Sequence, residues 1–341
     1  MRIAILGGAF DPVHKGHIRI ARKALTSIGV DEVWFMPANT SPWKKAHVAS
    51  FEQRVRMIAL AIKGYAHMKV CTLEGSMDPQ SYTIHTVRKL QQLYPQHEFC
   101  WLIGDDQARQ FDKWKDYREL VERIPFYVFS REEEEYELLT GLRRVVMPLI
   151  DVASSDIRAG RKLYQLPKAV ARYIAETGIY LESMTAAHMN EHRFRHSLSV
   201  AKLCVELARA HHLDPKPAYF MGVSHDICKQ LPYEQAKTWM KHHLPQYLDE
   251  AAAIWHGYIG ADYVRRVLGI RDHRISEAIY HHVKGRNKTD YDRILFIADK
   301  LDPARGYDSG KEIELSKKDL KLGYEVVKAQ QQAYLKKEGT I

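Results

Sequence analysis

Two histidines stand three residues apart behind a pair of glycines near the start of the chain. Residues 7–17 read Gly-Gly-Ala-Phe-Asp-Pro-Val-His-Lys-Gly-His and follow the apolar run at residues 3–6. Glycines at the end of a strand expose backbone N–H groups, and the N-terminus of a following helix attracts phosphate. His14 and His17 would share one face of that helix and could donate hydrogen bonds to charge developing on a phosphoryl group. The segment therefore predicts a polyphosphate site.

Histidines and aspartates of the second half form another group that could do chemistry. His225 and Asp226 are adjacent after an apolar stretch, with His196 upstream and Asp299 downstream. Neutral imidazole and carboxylate oxygens are suitable ligands for first-row transition metals. None of the four cysteines belongs to this group. The pattern indicates a metal centre without thiolate ligands.

Strand and helix patterns alternate through the first half of the chain, which is typical of a parallel sheet covered by helices on both faces. The predicted strands are residues 2–6, 32–36, 68–72, 98–103, 126–129 and 145–147. The predicted helices are residues 16–27, 51–62, 82–93 and 106–123. Ligands bind beyond the carboxyl ends of the strands in such sheets. The glycine–histidine segment lies at such an end.

The pattern changes near residue 183, where apolar residues begin to recur at intervals of three and four. This spacing is helical, and no β alternation follows it. We therefore predict an α/β domain over residues 1–183 and an all-α domain over residues 184–341, with the boundary near residues 181–187.

Composition narrows the class of protein further. A chain of 341 residues favours two domains, and its four scattered cysteines indicate reduced thiols. The formal net charge is +9, but the basic residues are dispersed, so we expect phosphorylated small molecules and no nucleic acid. Neither a membrane span nor a secretory pattern is found in the sequence, so we expect a cytoplasmic protein.

The opening segment resembles the GGxFDPxHxGH box of nucleotidyltransferases, a family with a Rossmann-like fold. Over about the first 180 residues the resemblance narrows to nicotinate-nucleotide adenylyltransferases. Four further segments carry it: residues 81–86 (SYTIHT), 103–106 (IGDD), 111–115 (FDKWK) and 154–158 (SSDIR). The chain departs from the family at Trp43, His85 and Ser155, where relatives have histidine, an acid and threonine.

This resemblance implies transfer of AMP from ATP, with Mg²⁺, to nicotinate mononucleotide, giving deamido-NAD and pyrophosphate. By resemblance the phosphate-binding and catalytic residues are His14, His17, Lys44 and Arg158. The residues implied to bind ATP are Gly7, Gly8, Phe10, Ser154 and Ser155. The residues implied to bind the acceptor are Thr83, Thr86, Asp106 and Trp114, with Trp114 stacked on the pyridine ring. Nicotinamide mononucleotide and phosphopantetheine stay open as acceptors. A core position for Trp114 and a merely helix-capping role for Ser154 also stay open.

The second half resembles the HD phosphohydrolase superfamily, and within it the YqeK-type proteins that cleave diadenosine tetraphosphate symmetrically to two ADP. The matching segments are residues 191–196, 225–229, 256–261, 282–285 and 298–305. The implied ligands of two metals, iron or manganese, are His196, His225, Asp226, His256, His282 and Asp299. Asp226, Lys229 and Arg305 are the implied catalytic residues of this half. Val283 stands where this branch usually has threonine.

The sequence thus predicts a bifunctional enzyme, and three alternatives stay open. The helical half could sense a nucleotide without hydrolysing it, or act as a broader phosphatase. The chain could also bind RNA through its α/β fold, although neither an aromatic RNA-binding motif nor a basic stripe supports this. Association into a homo-oligomer is left open as well.

Overall fold

The computed structural model describes residues 1–39, 48–77, 82–130, 137–148, 151–302 and 308–337. Contacts between residues divide the chain into two units, Met1–Tyr173 and Ile174–Ile341. The predicted boundary, between residues 183 and 184, falls inside the helix Leu181–Ala186 of the second unit. This helix contacts the helices Glu191–Ala210 and Pro215–Ser224, so the segment belongs with the second unit.

Six parallel strands form the sheet of the first unit. The strands are β1 (Arg2–Gly8), β2 (Glu32–Pro37), β3 (Met68–Val70), β4 (Glu98–Gly104), β5 (Phe126–Ser130) and β6 (Leu142–Val146). Their order is β3-β2-β1-β4-β5-β6, and every neighbouring pair is parallel. The carboxyl ends of all six strands therefore meet at one edge, as the alternating sequence pattern predicts.

Helices of the first unit follow the strands along the chain. They are α1 (Lys15–Ser27), α2 (Phe51–Ile62), α3 (Thr83–Leu93), α4 (Asp105–Ala108), α5 (Tyr117–Arg123) and α6 (Ser154–Arg158), and α7 (Lys168–Thr177) leads into the second unit. The prediction of one helix over residues 106–123 was wrong. Asp116 adopts a left-handed backbone with φ of 52°, and Trp114 is extended, so the helix is interrupted before α5. The sixth strand begins at Leu142, three residues before its predicted start at residue 145.

All regular elements in the described part of the second unit are helices, which confirms the predicted all-α class. They are α8 (Leu181–Ala186), α9 (Glu191–Ala210), α10 (Pro215–Ser224), α11 (Tyr233–His243), α12 (Trp255–Arg266), α13 (His273–His281), α14 (Asp290–Lys300), α15 (Gly310–Lys318) and α16 (Leu320–Lys337). Helix α14 is central, since Tyr291 through Asp299 are all buried.

Helices α9 and α10 approach each other closely at Gly222. A Cβ at this position would lie 2.4 Å from the Cα atom of Ala201. Since α9 carries His196 and α10 ends at His225, this close approach brings two predicted metal ligands together. No helix in the described ranges is both long enough and apolar enough to cross a membrane.

Candidate active sites

The glycine–histidine segment forms the turn between β1 and α1. Gly7 packs against the ring of Trp101, and a Cβ at Gly7 would lie 2.8 Å from Trp101 Cζ2. Phe10 is buried and adopts a left-handed backbone with φ of 49°. Its ring contacts that of His17 edge-on, with 4.9 Å between the ring centroids. The contact with the Phe10 ring thus restrains the position of the His17 ring.

His14 and His17 are packed together at the start of α1, with 3.8 Å between their ring centroids. The backbone N–H of His14 donates to Nδ1 of His17 at 3.2 Å, so the His17 proton belongs on Nε2. His14 is buried, and burial lowers its pKa to about 4. The buried Nδ1 of His14 has no hydrogen-bond partner among the described residues. His14 is therefore a neutral hydrogen-bonding group near pH 7.

Gly16 lies directly against the His14 ring. A Cβ at this position would lie 3.0 Å from Nδ1 of His14 and 3.4 Å from Cγ1 of Val152. Such contacts are tighter than usual, so the ring would have to shift by a few tenths of an ångström. The glycine therefore sets the position of His14.

Helix α6 is tied to the same turn by two hydrogen bonds. Arg158 donates through Nη1 to the carbonyl oxygen of Asp11, and Ser154 Oγ donates to the carbonyl oxygen of Pro12. Ala153 is the N-cap of α6, so the suggestion that Ser154 caps this helix was wrong; its hydroxyl binds the turn instead. Ser155 is exposed beside it. The two predicted phosphate-binding segments thus lie together at the carboxyl edge of the sheet.

Arg54 was not predicted from the sequence, although it organises the same edge. It is fully buried in α2 and donates to the carbonyl oxygens of Ala9, Ala38 and Asn39. These carbonyls belong to the loops that follow β1 and β2. The Arg54 guanidinium therefore joins two loops beside the candidate nucleotide site.

The predicted acceptor residues lie at the ends of β4 and α3. Thr83 begins α3 and Asp106 lies in α4, which follows β4 directly. Thr86 is fully buried and donates to Glu74 Oε1 at 2.9 Å. Trp114 is half-buried and packs on Phe111, with 5.1 Å between the ring centroids. One part of the Trp114 ring thus belongs to the core, while the rest is accessible.

His85 and Lys115 are in contact beside the ring of Tyr82. Lys115 Nζ lies 3.2 Å from His85 Nε2 and 4.8 Å from the centroid of the Tyr82 ring. A lysine thus lies beside His85, the position where the family pattern has an acid. The predicted Lys44 and Arg305, and the departure at Trp43, lie outside the described residues.

The six predicted metal ligands of the second unit come from five helices or their ends. His196 lies in α9, His225 caps the C-terminus of α10 and Asp226 follows it, His256 is in α12, His282 caps the C-terminus of α13, and Asp299 is in α14. All six side chains are buried. Buried groups of this kind need partners, since isolated charges are costly to desolvate.

Hydrogen bonds fix the orientation of all four histidine rings. Three of the rings bond through Nδ1 to the carbonyl oxygen three residues earlier. The distances are 2.8 Å from His225 to Gly222, 2.9 Å from His256 to Ala253 and 2.6 Å from His282 to Ile279. In His196, Nδ1 lies 2.6 Å from Oδ2 of Asp302. A carbonyl oxygen can only accept, so the three rings bonded to carbonyls carry their proton on Nδ1. The Nε2 lone pairs are thereby left for another ligand.

The four Nε2 atoms face the carboxylates of Asp226 and Asp299. His196 Nε2 is 3.3 Å and His225 Nε2 is 3.7 Å from Asp299 Oδ1. The two oxygens of Asp226 face different rings: Oδ1 is 3.4 Å from Nε2 of His256 and 3.7 Å from Nε2 of His282, whereas Oδ2 is 3.7 Å from Nε2 of His225. Asp226 thus lies between two groups of ligands.

Two overlapping sets of these atoms are close enough to hold a metal ion: His196, His225 and Asp299, and His225, Asp226 and His282. The buried Nε2 atoms of His196 and His225 make no hydrogen bond within the described ranges. Unpaired imidazole nitrogens beside carboxylates, with their other nitrogens anchored, are the donor set of a bound transition metal. The residues therefore fit a divalent metal centre.

Positive side chains surround the metal-ligand cluster. Arg193 Nη1 lies 2.5 Å from Oδ2 of Asp226, and Lys300 Nζ lies 2.6 Å from Oδ2 of Asp299. The predicted Lys229 places Nζ 3.2 Å from Nε2 of His256. Neither Arg193 nor Asp302 was identified from the sequence as a site residue. Asp302 lies one helical turn after Asp299, and this i, i+3 spacing is the signal that could have found it.

Charges in this cluster shift the pKa values of its histidines in opposite directions. Burial opposes the charged form of His196, but the hydrogen bond to Asp302 and the charges of Asp299 and Asp302 outweigh it and raise its pKa to about 9. Burial, together with the charge of His282, lowers the pKa of His256 to about 3.

A parallel α/β unit with a phosphate-binding turn, followed by a helical unit with a buried histidine–aspartate cluster, defines a nucleotidyltransferase joined to an HD domain. The family model described as cytidylyltransferase-like matches residues 5–160, and the HD domain model matches residues 193–304. An HD domain implies binding of divalent metal, in agreement with the donor set of the cluster.

Relatives of nearly the same length share both parts of the chain. A protein of Mycoplasma pneumoniae named "Probable nicotinate-nucleotide adenylyltransferase/Ap4A hydrolase" is 31% identical over 338 residues, covering 94% of this chain and 96% of the relative. A protein of the same name from Mycoplasma genitalium is 30% identical and covers 95% of each chain. A "Probable nicotinate-nucleotide adenylyltransferase" of Methylacidiphilum infernorum is 39% identical over 54% of this chain and 94% of its own length. The chain belongs to the nicotinate-nucleotide adenylyltransferase/Ap4A hydrolase family.

Proposed function

We propose that the first unit transfers AMP from Mg²⁺-ATP to nicotinate mononucleotide. An oxygen of the acceptor phosphate attacks the α-phosphorus, the bond to the bridging oxygen breaks, and pyrophosphate leaves. The packed pair of His14 and His17 carries this proposal, because it lies at the carboxyl edge of the sheet beside α6. Full-length relatives named for this activity support it.

In this reaction the protein positions the phosphates and balances their charge. His17 would donate from Nε2, since its Nδ1 already accepts the backbone N–H of His14. Arg158 would offer its guanidinium to the leaving pyrophosphate, and Lys44 would add a second positive charge. Gly7, Gly8, Ser154 and Ser155 would line the ATP site, with the buried Phe10 supporting His17. Thr83, Asp106 and Trp114 would line the acceptor site, with the buried Thr86 bonded to Glu74.

Pyrophosphate release tests this function. The full chain is incubated with Mg²⁺-ATP and either nicotinate or nicotinamide mononucleotide, beside His17→Ala. We expect rapid release with the nicotinate form and a loss of at least 100-fold in His17→Ala, the scale seen when a group that stabilises transition-state charge is removed. Absence of pyrophosphate release with every mononucleotide would remove the proposal.

We further propose that the second unit hydrolyses diadenosine tetraphosphate to two ADP. Water adds to a central phosphorus and the bridging P–O bond breaks, so that each half leaves as ADP. Four Nε2 atoms that face two carboxylates carry this proposal. The ligands would be His196, His225, Asp226, His256, His282 and Asp299, holding two iron or manganese ions.

Bound metal ions would supply Lewis-acid activation of water and stabilise the leaving oxygen. The chain itself contributes charge and orientation. Arg193 and Lys300 neutralise the carboxylates of Asp226 and Asp299, and Lys229 lies beside His256, where it can meet phosphate oxygens. Arg305 would add positive charge for the phosphate chain.

Product analysis by anion exchange tests the hydrolase. Manganese-loaded protein and an Asp226→Ala control are incubated with diadenosine tetraphosphate. We expect ADP alone, and none from the control. AMP together with ATP would contradict symmetric cleavage, and no turnover by protein that binds metal would contradict the hydrolase itself.

A further inference from the structure

An aromatic pair, Tyr233 and Trp255, is close in sequence to predicted metal ligands and is not used by the hydrolytic machinery. Tyr233 begins α11, and its ring is stacked on that of Trp255 at 5.9 Å between centroids and 13° between planes. Trp255 is buried, whereas Tyr233 is 54% exposed. An exposed aromatic ring that is backed by a buried one offers a rigid surface to another flat ring.

Two short stretches of chain connect this pair to predicted metal ligands. Trp255 directly precedes His256, and its Nε1 donates to the carbonyl oxygen of Glu250 at 2.9 Å, which fixes the indole. Tyr233 is reached from Asp226 along one short segment that also contains Lys229. Lys229 contacts His256, so the segment runs from the metal ligands past a positive charge to the aromatic pair.

Charge beside the pair favours a nucleotide over a neutral aromatic ligand. Lys237 Nζ lies 5.6 Å from the centroid of the Tyr233 ring, one helical turn along α11. A phosphate chain held at the metal ligands would pass Lys229, and its base would arrive where Tyr233 and Lys237 lie. Aromatic side chains bind bases by stacking because every base has a π-face.

We propose that Tyr233, backed by Trp255, is a stacking subsite for one nucleobase of the dinucleoside polyphosphate. This inference rests on the proposed hydrolase function and adds to it a residue that binds the base. It explains how the site would distinguish a nucleotide from inorganic polyphosphate, which the metal ligands and lysines alone would not do.

Steady-state kinetics of the manganese-loaded full chain test the subsite. Loss of the stacking ring in Tyr233→Ala is expected to raise KM for diadenosine tetraphosphate about 10-fold, with kcat changed less than twofold. Competitive inhibition by ADP should weaken by a similar factor, whereas inhibition by inorganic tripolyphosphate should stay the same. Tyr233→Phe should retain the parent values, because the ring and not the hydroxyl is required.

Tyr334→Ala is the matched control, since Tyr334 is 62% exposed on α16 and has no ring contact among the described residues. Equal KM values for Tyr233→Ala and this control would overturn the subsite. Equal weakening of inhibition by ADP and by tripolyphosphate in Tyr233→Ala would overturn it as well. If the parent chain does not cleave diadenosine tetraphosphate, the proposed function fails. The subsite is then tested by calorimetric titration with ADP. The proposal requires that Tyr233→Ala weakens ADP binding and that Tyr334→Ala leaves it unchanged.

Discussion

Asp302 distinguishes His196 from the other three histidines of the cluster. The other rings donate from Nδ1 to backbone carbonyls, whereas His196 has a buried carboxylate as its partner. A carboxylate behind a metal-binding imidazole fixes the ring and raises its basicity. Asp302 is therefore a positioning residue that acts through His196.

Asp302→Asn is expected to weaken manganese binding by the full chain 10- to 100-fold, because the amide keeps the shape but loses the negative charge behind His196. The measurement is a competition titration against a chelator of known affinity. Asp249→Asn, at an exposed aspartate, serves as the control. Unchanged affinity in Asp302→Asn would show that His196 is held without this carboxylate.

The pKa of His14 is expected to lie near 4, because the ring is buried. Between pH 6.5 and 4 the unfolded chain takes up a proton that the folded chain excludes. The contribution of neutral His14 to stability is therefore complete above pH 6.5 and is lost as the pH falls toward 4, by up to about 3 kcal/mol.

The pKa is measured by NMR titration of chain labelled at histidine, with the resonance assigned by its absence in His14→Asn. A midpoint near 6.5 would contradict the buried, neutral ring and the hydrogen-bonding role that follows from it.

Motifs predicted most candidate site residues, because each motif is contiguous in the chain. Arg54 and Asp302 were missed because their partners are distant in sequence. Arg54 binds carbonyls 45 and 16 residues away, and Asp302 binds a ring 106 residues away. Such pairs exist only once the fold has brought the elements together.

Local signals also explain which elements the sequence predicts well. Helix α2 was predicted with its observed bounds, since Ser50 and Gln53 form a reciprocal capping box at its start. The stretch 106–123 has a helical composition but contains the left-handed Asp116, which composition does not reveal. A non-glycine residue in that conformation depends on its tertiary surroundings.

Packing of α9 against α10 depends on Gly222, and a matched pair of glycines tests this. Gly222→Ala places a Cβ 2.4 Å from Ala201 Cα, so we expect a loss of about 1–3 kcal/mol in the stability of these helices. Gly260→Ala is the control, because its Cβ would meet its nearest atom at 3.5 Å, an ordinary contact.

Amide hydrogen exchange measures the stability of α9 and α10 in both variants. Gly222→Ala should accelerate exchange in these helices. Gly260→Ala should leave it unchanged, because Gly260 lies in α12 and its Cβ would make only ordinary contacts. Equal protection in the two variants would contradict the close packing at Gly222.

At the scale of the whole chain, each candidate site is built from residues of a single unit. The two activities should therefore be separable within the intact protein. His17→Ala should abolish pyrophosphate release and keep the cleavage of diadenosine tetraphosphate, and Asp226→Ala should do the reverse. Parallel assays of both reactions on each variant measure this, and loss of both activities in either variant would contradict separate sites.

The contact between Gly16 and the His14 ring has a consequence for sequence variation. Every residue other than glycine would bring a Cβ to within 3.0 Å of that ring. In a library of all single substitutions selected for adenylyl transfer, substitutions at position 16 should be depleted, although a glycine offers no side chain to any ligand. Such a pattern would show that residue 16 is constrained by the position of the His14 ring and not by any chemistry of its own.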